Sequence, residues 1–211
     1  MVREPKEKKI KVLSLGKLLL QAETQEDKQD IRDLLSSFSC SQDKDIEDFL
    51  HNRAIDFERI NKARTYLVCD DNVLQAEGKL IILGYFSTAL KVLDIPENIS
   101  NRFRKRLDGM AAKLYGNAIK SIPCYLIGQL AKNSAIPDEQ SINGSELIDC
   151  AISIIRSAET LVGGRYVLIE CHDNPKLLKF YEDNDFKAFA EIPYKTVPMV
   201  QMLRPLCTTE L

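Results

Sequence analysis

The sequence predicts a single α/β domain, a mixed and mostly antiparallel sheet flanked by helices, and three observations carry that reading. From Cys124 to Cys171 the chain alternates strand, helix and strand: Cys124 to Lys132, a polar loop ending Asn143-Gly144-Ser145, an amphipathic helix, then Arg165 to Cys171. Such a crossover demands parallel pairing, here of the strands around Gln129 and Val167. Two runs rich in β-formers, Arg64 to Cys69 and Leu80 to Leu90, flank the turn signal Asp70-Asp71-Asn72 and predict antiparallel neighbours. Two more strand candidates, Ala188 to Ile192 and Val197 to Leu203, close the chain.

The first ten residues are charged and are expected to be frayed, leaving residues 11–211 as the domain. Lys11 to Leu20 holds a first strand, Val12-Leu13-Ser14-Leu15. Asp27 to Ser36 sets Ile31, Leu34 and Leu35 on one helical face, and Asp45 to Ile60 does the same with Ile46, Phe49, Leu50, Ile55, Phe57 and Ile60. Phe38-Ser39-Cys40-Ser41 between them is a loop. Pro96 closes the apolar run that begins at Leu80. Over residues 98–120 Arg102, Arg104, Lys105, Arg106, Lys113 and Lys120 gather with only Asp108 opposing them, which reads as a partly helical surface insertion.

Ser145 to Val162 has the clearest helical period. Leu147, Ala151, Ile154, Ala158 and Leu161 form one stripe, with Ile148, Ile152 and Ile155 beside it. Gly163-Gly164 ends that helix, because glycine accepts the left-handed position after a helix without penalty. Asn174 is a favourable N-cap and Pro175 suits the first helical position, so a short helix carrying Phe180-Tyr181 follows.

The bulk composition narrows the function. Lys plus Arg (29) nearly balance Asp plus Glu (31), so no overall field holds nucleic acid or an anionic membrane. No apolar run reaches the length of a bilayer span, and Met1 to Lys6 lacks the apolar core of a secretory signal; the expectation is a cytoplasmic protein. Six singly spaced cysteines and two histidines, His51 and His172, offer no metal-ligand spacing, and no metal is expected. A serine elbow and a phosphate loop ending in Lys-Ser or Lys-Thr are both missing from the sequence.

What remains is a strand leading through a glycine-bearing loop into a helix N-terminus, where backbone N–H groups and the helix dipole favour an anion. Downstream, Asn174 and Tyr181 lie seven positions apart, almost two turns, and share one side of a helix. Asn174 also reads as a plain N-cap, and Tyr181 as a half-buried aromatic.

The run Gly128-Gln129-Leu130-Ala131-Lys132-Asn133, then Asn143-Gly144-Ser145-Glu146-Leu147-Ile148, then Asn174, Phe180-Tyr181 and Phe186, resembles the GNAT superfamily of acyl-CoA-dependent N-acyltransferases. Upstream, Phe38 to Cys40, Asp45 to Leu50 and Thr65-Tyr66 resemble the branch that holds bacterial toxins and their non-toxin relatives. The resemblance implies a GNAT-like fold with two central parallel strands splayed apart and acetyl-CoA as co-substrate. It assigns main-chain groups at Leu130, Ala131 and Lys132 to the pantetheine arm, and Ile142, Asn143, Gly144 and Ser145 to the pyrophosphate. It gives Asn174 a contact to the cofactor arm and makes Tyr181 the general acid for the departing thiolate. The phosphate pattern is degenerate: Glu139 stands where the family has Arg or Gln, and Ile142 where it has the first glycine. Asp185 replaces the usual glycine before Phe186, a change to a turn rather than to the chemistry. Glu170 and His172 are candidates for the base by position, without an assignment.

The implied reaction is direct acetyl transfer to a primary amine, small, peptide or aminoacyl, with a homodimer allowed. Two alternatives stand beside it: a toxin acetylating aminoacyl-tRNA, with RNA contact through the 98–120 cluster not favoured, and a non-catalytic interaction module.

Overall fold

The computed structural model describes residues 9–192 and 198–207; the expected fraying of residues 1–8 and the start of the last strand at Val197 lie outside that range. Strand β1 is Ile10–Ser14, followed by helices α1 (Leu15–Gln21), α2 (Gln25–Ser36) and α3 (Lys44–Asp48). A π-helical turn, Phe49–Arg53, joins α3 to α4 (Ala54–Arg59). Strands β2 (Arg64–Asp70) and β3 (Ile82–Asp94) bracket α5 (Asp71–Glu77). Next come α6 (Asn101–Asp108), a small hairpin of β4 (Lys113–Leu114) and β5 (Asn117–Ala118), and β6 (Ser121–Lys132). Helix α7 (Gly144–Val162), β7 (Tyr166–His172), α8 (Pro175–Glu182), β8 (Lys187–Ile192) and β9 (Met199–Pro205) complete the chain. Among the described residues seven strands order as β1-β2-β3-β6-β7-β9-β8; β6 and β7 are parallel, and β1–β2, β2–β3, β7–β9 and β8–β9 are antiparallel.

The chain forms two compact units, and β3, β6 and α7 each contribute residues to both. The first comprises the described residues up to Thr88 together with Gln129–Ser153. Its core is Leu15, Leu35, Phe38, Phe49, Leu50, Leu67 and Tyr85, closed by partly buried side chains of α1 to α4. Helix α2 is capped locally: the Thr24 side chain accepts from the Asp27 amide while Asp27 accepts from the Thr24 amide, a reciprocal capping box. Loop Phe38–Ser41 is held by Glu47, whose Oε2 accepts from the Cys40 amide at 2.7 Å and the Ser39 hydroxyl at 3.1 Å.

The second unit comprises Ala89–Gly128 and the described residues from Ile154 onward. Leu93, Leu107, Cys124, Tyr166, Leu168 and Leu203 form its core. Gly163 takes φ 73° and its amide bonds Glu159 O at 2.8 Å, ending α7 as the sequence predicts. At Gly164 a Cβ would lie 2.4 Å from the Tyr125 ring, so only glycine fits.

Four sequence expectations need correction. Asp70-Asp71-Asn72 does not merely turn the chain: Asp70 caps a helix by accepting from the Asn72 and Val73 amides. Helix 45–60 is interrupted by the π-helical turn. Leu161, placed on the apolar stripe of α7 with Leu147 and Ala151, is 84% exposed, whereas those two and Ile148, Ile152 and Ile155 beside them are buried. Arg104, counted in the basic surface cluster, is 5% exposed and donates to the carbonyls of Pro96, Glu97, Ile99 and Ile119, which makes it the clamp of the 96–119 segment.

Candidate active site

The parallel ladder between β6 and β7 has three rungs: Tyr125 to Val167, Leu126 to Leu168 and Ile127 to Ile169. It is centred on Leu126, three residues before the Gln129 around which the sequence placed it. The three β6 residues of the ladder lie in the second unit's share of β6, which ends at Gly128. On its other edge β7 stays paired through His172, with β9. In the first unit's share of β6, the Gln129 Oε1 is buried with no hydrogen-bond partner among the described residues.

Within the first unit the end of β6 is tied down firmly. Asn133, 3% exposed, donates from its amide to Leu83 O and from Nδ2 to Ile82 O, both at 2.8 Å. Its Oδ1 accepts from the Ser39 amide at 3.1 Å and the Ala135 amide at 3.0 Å. One side chain thus joins β6, β3 and the Phe38–Ser41 loop. Gly84 of β3 faces this segment closely: a Cβ there would lie 2.9 Å from Ala131 O and 3.3 Å from the Leu147 methyls. Ala131 is buried, Leu130 half-buried and Lys132 exposed, an alternation that leaves main-chain atoms as their common offering.

At the start of α7, Asn143 and Glu146 form a capping box. Asn143 Oδ1 accepts from the Glu146 amide at 2.8 Å, and Glu146 Oε2 accepts from the Asn143 amide at 3.0 Å. The Asn143 amide is therefore occupied, and the Ile142 side chain is buried at 1% exposure. The amides of Gly144 and Ser145 have no acceptor among the described residues. Of the four positions assigned to a pyrophosphate, Asn143 has its amide taken, while Gly144 and Ser145 keep free donors with the Glu146 carboxylate beside them.

In the second unit Asn174 caps α8, its Oδ1 accepting from the amides of Lys176 at 3.0 Å and Leu177 at 3.3 Å, which leaves the Nδ2 donors. Tyr181 is 7% exposed and packs against Phe180 and Phe186, with ring centroids 5.2 and 5.8 Å away. Its carbonyl accepts from the Phe186 amide at 3.1 Å; Asp185, at φ 66°, makes the left-handed turn that the usual glycine would make. Burial first, and the nearby Cys171 second, push the Tyr181 phenol far above its ordinary value, so the group keeps its proton. No hydrogen bond engages its hydroxyl among the described residues. Glu170 is spent: Oε2 pairs with Lys91 at 2.6 Å and Oε1 accepts from Gln201 at 2.9 Å. His172 is exposed. Sequence reasoning quoted Asn133 without giving it a role and missed Lys91 and Gln201; an asparagine directly after a strand was the one readable signal.

Among the described residues there is no cluster set to hold a metal ion, and no helix is long and apolar enough to cross a membrane. No family model and no curated protein matches the sequence. Solved structures do match. AtaT complexed with acetyl-methionyl-tRNAfMet superposes with a TM-score of 0.61 at 18% identity, over 91% of this chain and 94% of that one. AtaTR bound with AcCoA gives 0.61 at 19%, over 93% of each chain. A tyrosine-to-phenylalanine mutant of KacT gives 0.64 at 13%, over 93% and 94%. The mixed sheet with its single parallel pair is the GNAT-like fold that this chain shares with AtaT and KacT.

Proposed function

We propose that the chain is an N-acetyltransferase that passes an acetyl group from acetyl-CoA directly to a primary amine, and that the amine is carried by an aminoacyl-tRNA. The observation that carries the reading is the buried Oε1 of Gln129, without a hydrogen-bond partner among the described residues at the head of the Leu130 to Lys132 segment. Sequence alone put a primary amine of unspecified kind first, with aminoacyl-tRNA as an alternative. The likeness to AtaT, solved with acetyl-methionyl-tRNAfMet, moves the tRNA acceptor ahead.

The residues fit an acyl-CoA unevenly. Main-chain groups of Leu130, Ala131 and Lys132, with the orphaned Gln129 Oε1, suit an extended amide-bearing arm. The Gly144 and Ser145 amides would hold phosphate oxygens, while Glu146 and Ile142 reduce the cradle that the sequence suggested. The Asn174 Nδ2 group is the remaining donor for the arm. The bound thioester supplies the acyl carbon and the leaving thiolate.

This chain's own residues then position and polarise. The amine attacks in its neutral form, the N–C bond forms as the C–S bond breaks, and the ammonium proton leaves to water. Tyr181, protonated at every working pH, donates a hydrogen bond to the departing sulfur. Its raised pKa favours hydrogen bonding over full proton transfer, because a thiolate with a reference value of about 8.5 is the weaker base. The Lys91–Glu170–Gln201 chain leaves Glu170 engaged, so it is not assigned as base.

The test is acetyl transfer from labelled acetyl-CoA to charged tRNA, with polyamines and peptides in parallel. Label on the aminoacyl group, lost in Tyr181→Phe, is the expected result. Label on small amines alone restores the other acceptor class, and no transfer to any of them overturns the enzyme reading in favour of an interaction module.

A further inference from the structure

A cavity of about 610 Å³ opens in the first unit among α1, α2, the end of α4 and the start of β2. That volume lies within the roughly 300–1,000 Å³ typical of small-molecule sites. Its lining is unbalanced in charge: Lys17, Lys28, Arg59 and Arg64 face one carboxylate, Glu58. Glu58 is 4% exposed and already committed, Oε1 accepting from the Thr65 amide at 2.6 Å and Oε2 from Arg64 Nη1 at 2.8 Å. Lys17 and Lys28 make no ion pair among the described residues, and Arg59 has only an exposed contact with Asp56 at 3.5 Å. Three positive charges are thus in excess around one opening.

Arg64 is pre-set. Besides Glu58 Oε2, its Nη1 reaches Glu58 O at 3.2 Å and its Nη2 reaches Asn61 Oδ1 at 2.7 Å. Asn61 holds φ 56°, a left-handed conformation unusual for a side-chain-bearing residue. The Arg64 side chain nonetheless stays 49% exposed. A guanidinium fixed before binding loses little rotamer entropy on meeting an anion, and its planar fork suits phosphate oxygens. Leu19 and Leu20 add an apolar wall, and Leu20 is 86% exposed. The space exceeds what a lone inorganic anion needs.

We propose that this cavity binds the phosphate of a nucleotide, with Arg64 as the fixed anchor, Lys17 and Lys28 closing on the phosphate, and Leu19 and Leu20 against the nucleoside. The proposal stands on the cavity and does not depend on acetyl transfer. Phosphate with two negative charges and several acceptor oxygens matches convergent cations better than a carboxylate does.

The full chain is titrated calorimetrically with inorganic phosphate, AMP, adenosine and a short single-stranded RNA, all at saturating CoA so that any acyl-donor site is filled. Binding of AMP or RNA is expected, with none of adenosine, and amide NMR shifts confined to residues near 14–20 and 58–64. Lys17→Glu/Lys28→Glu should weaken it by about tenfold or more with Tm unchanged, and the double glutamine variant should weaken it less. RNA far tighter than AMP makes the cavity one subsite along a strand; equal affinity points to a free nucleotide. No binding of phosphate, AMP or RNA, or equal binding by wild type and the double glutamate variant, overturns the proposal.

Discussion

Replacing Asn133 by alanine deletes three hydrogen bonds from one buried point: Nδ2 to Ile82 O, and Oδ1 from the Ser39 and Ala135 amides. Each is worth about 1 kcal/mol net, so the direct loss is about 3 kcal/mol. Orphaning the Ile82 carbonyl, which is shielded with its residue at 1% exposure, raises the figure toward about 4 kcal/mol. Leucine would not repair the site, since an apolar side chain of similar size leaves the same backbone groups unpaired. Urea unfolding reads the change: with a slope of about 2 kcal/mol/M, the midpoint should fall by roughly 1.5–2 M. The loss should also loosen Lys132 and its neighbours, seen as faster amide exchange at Leu130 to Ser134. A midpoint shift under about 0.5 M would refute the view that Asn133 is the clamp of this strand end.

Three further outcomes are expected. Tyr181→Phe should lower turnover by roughly tenfold or more, with acetyl-CoA affinity unchanged by calorimetry; equal losses in both would contradict its role at the thiol. Gly84→Ala should destabilise by about 1–3 kcal/mol in thermal unfolding, because the new methyl meets the Ala131 carbonyl, which is backbone and cannot swing away. Glu47 is held down to about 2 by Lys44 first and the Cys40 amide next. A depressed carboxylate stabilises the fold above its unfolded value of 4.5, and that contribution fades as pH falls through the folded value. The Tm gap between wild type and Glu47→Gln should therefore be full at pH 6 and shrink between pH 4.5 and 2; a gap constant with pH would refute it.

The sequence was most readable where local chemistry and tertiary need coincide. Asn174-Pro175 marked α8 because the cap and the fixed proline φ are both local, and Gly163-Gly164 marked the end of α7 for the same reason. The parallel pair followed from connectivity, whereas its register, Tyr125 opposite Val167, was not readable, since no periodicity within a strand encodes which residue its neighbour meets. Arg104 was misplaced because a charge run looks solvated until main-chain carbonyls converge on one member. The Asn143–Glu146 capping box was legible as Asn-x-x-Glu, and it shows why the phosphate pattern is weak here: the helix start largely satisfies itself. The cavity around Arg64 was invisible, its lining drawn from separate helices and a strand.

Hydrogen exchange of the chain with and without acetyl-CoA addresses the β6 segment beyond the ladder most directly. The amides of Gln129 to Lys132 should gain protection on binding, with Tyr125 to Ile127, already laddered to β7, unchanged. Acetyl-CoA that leaves residues 129–132 exchanging as before, or protects only some other part of the chain, would contradict the assignment of this strand as the acyl-donor platform.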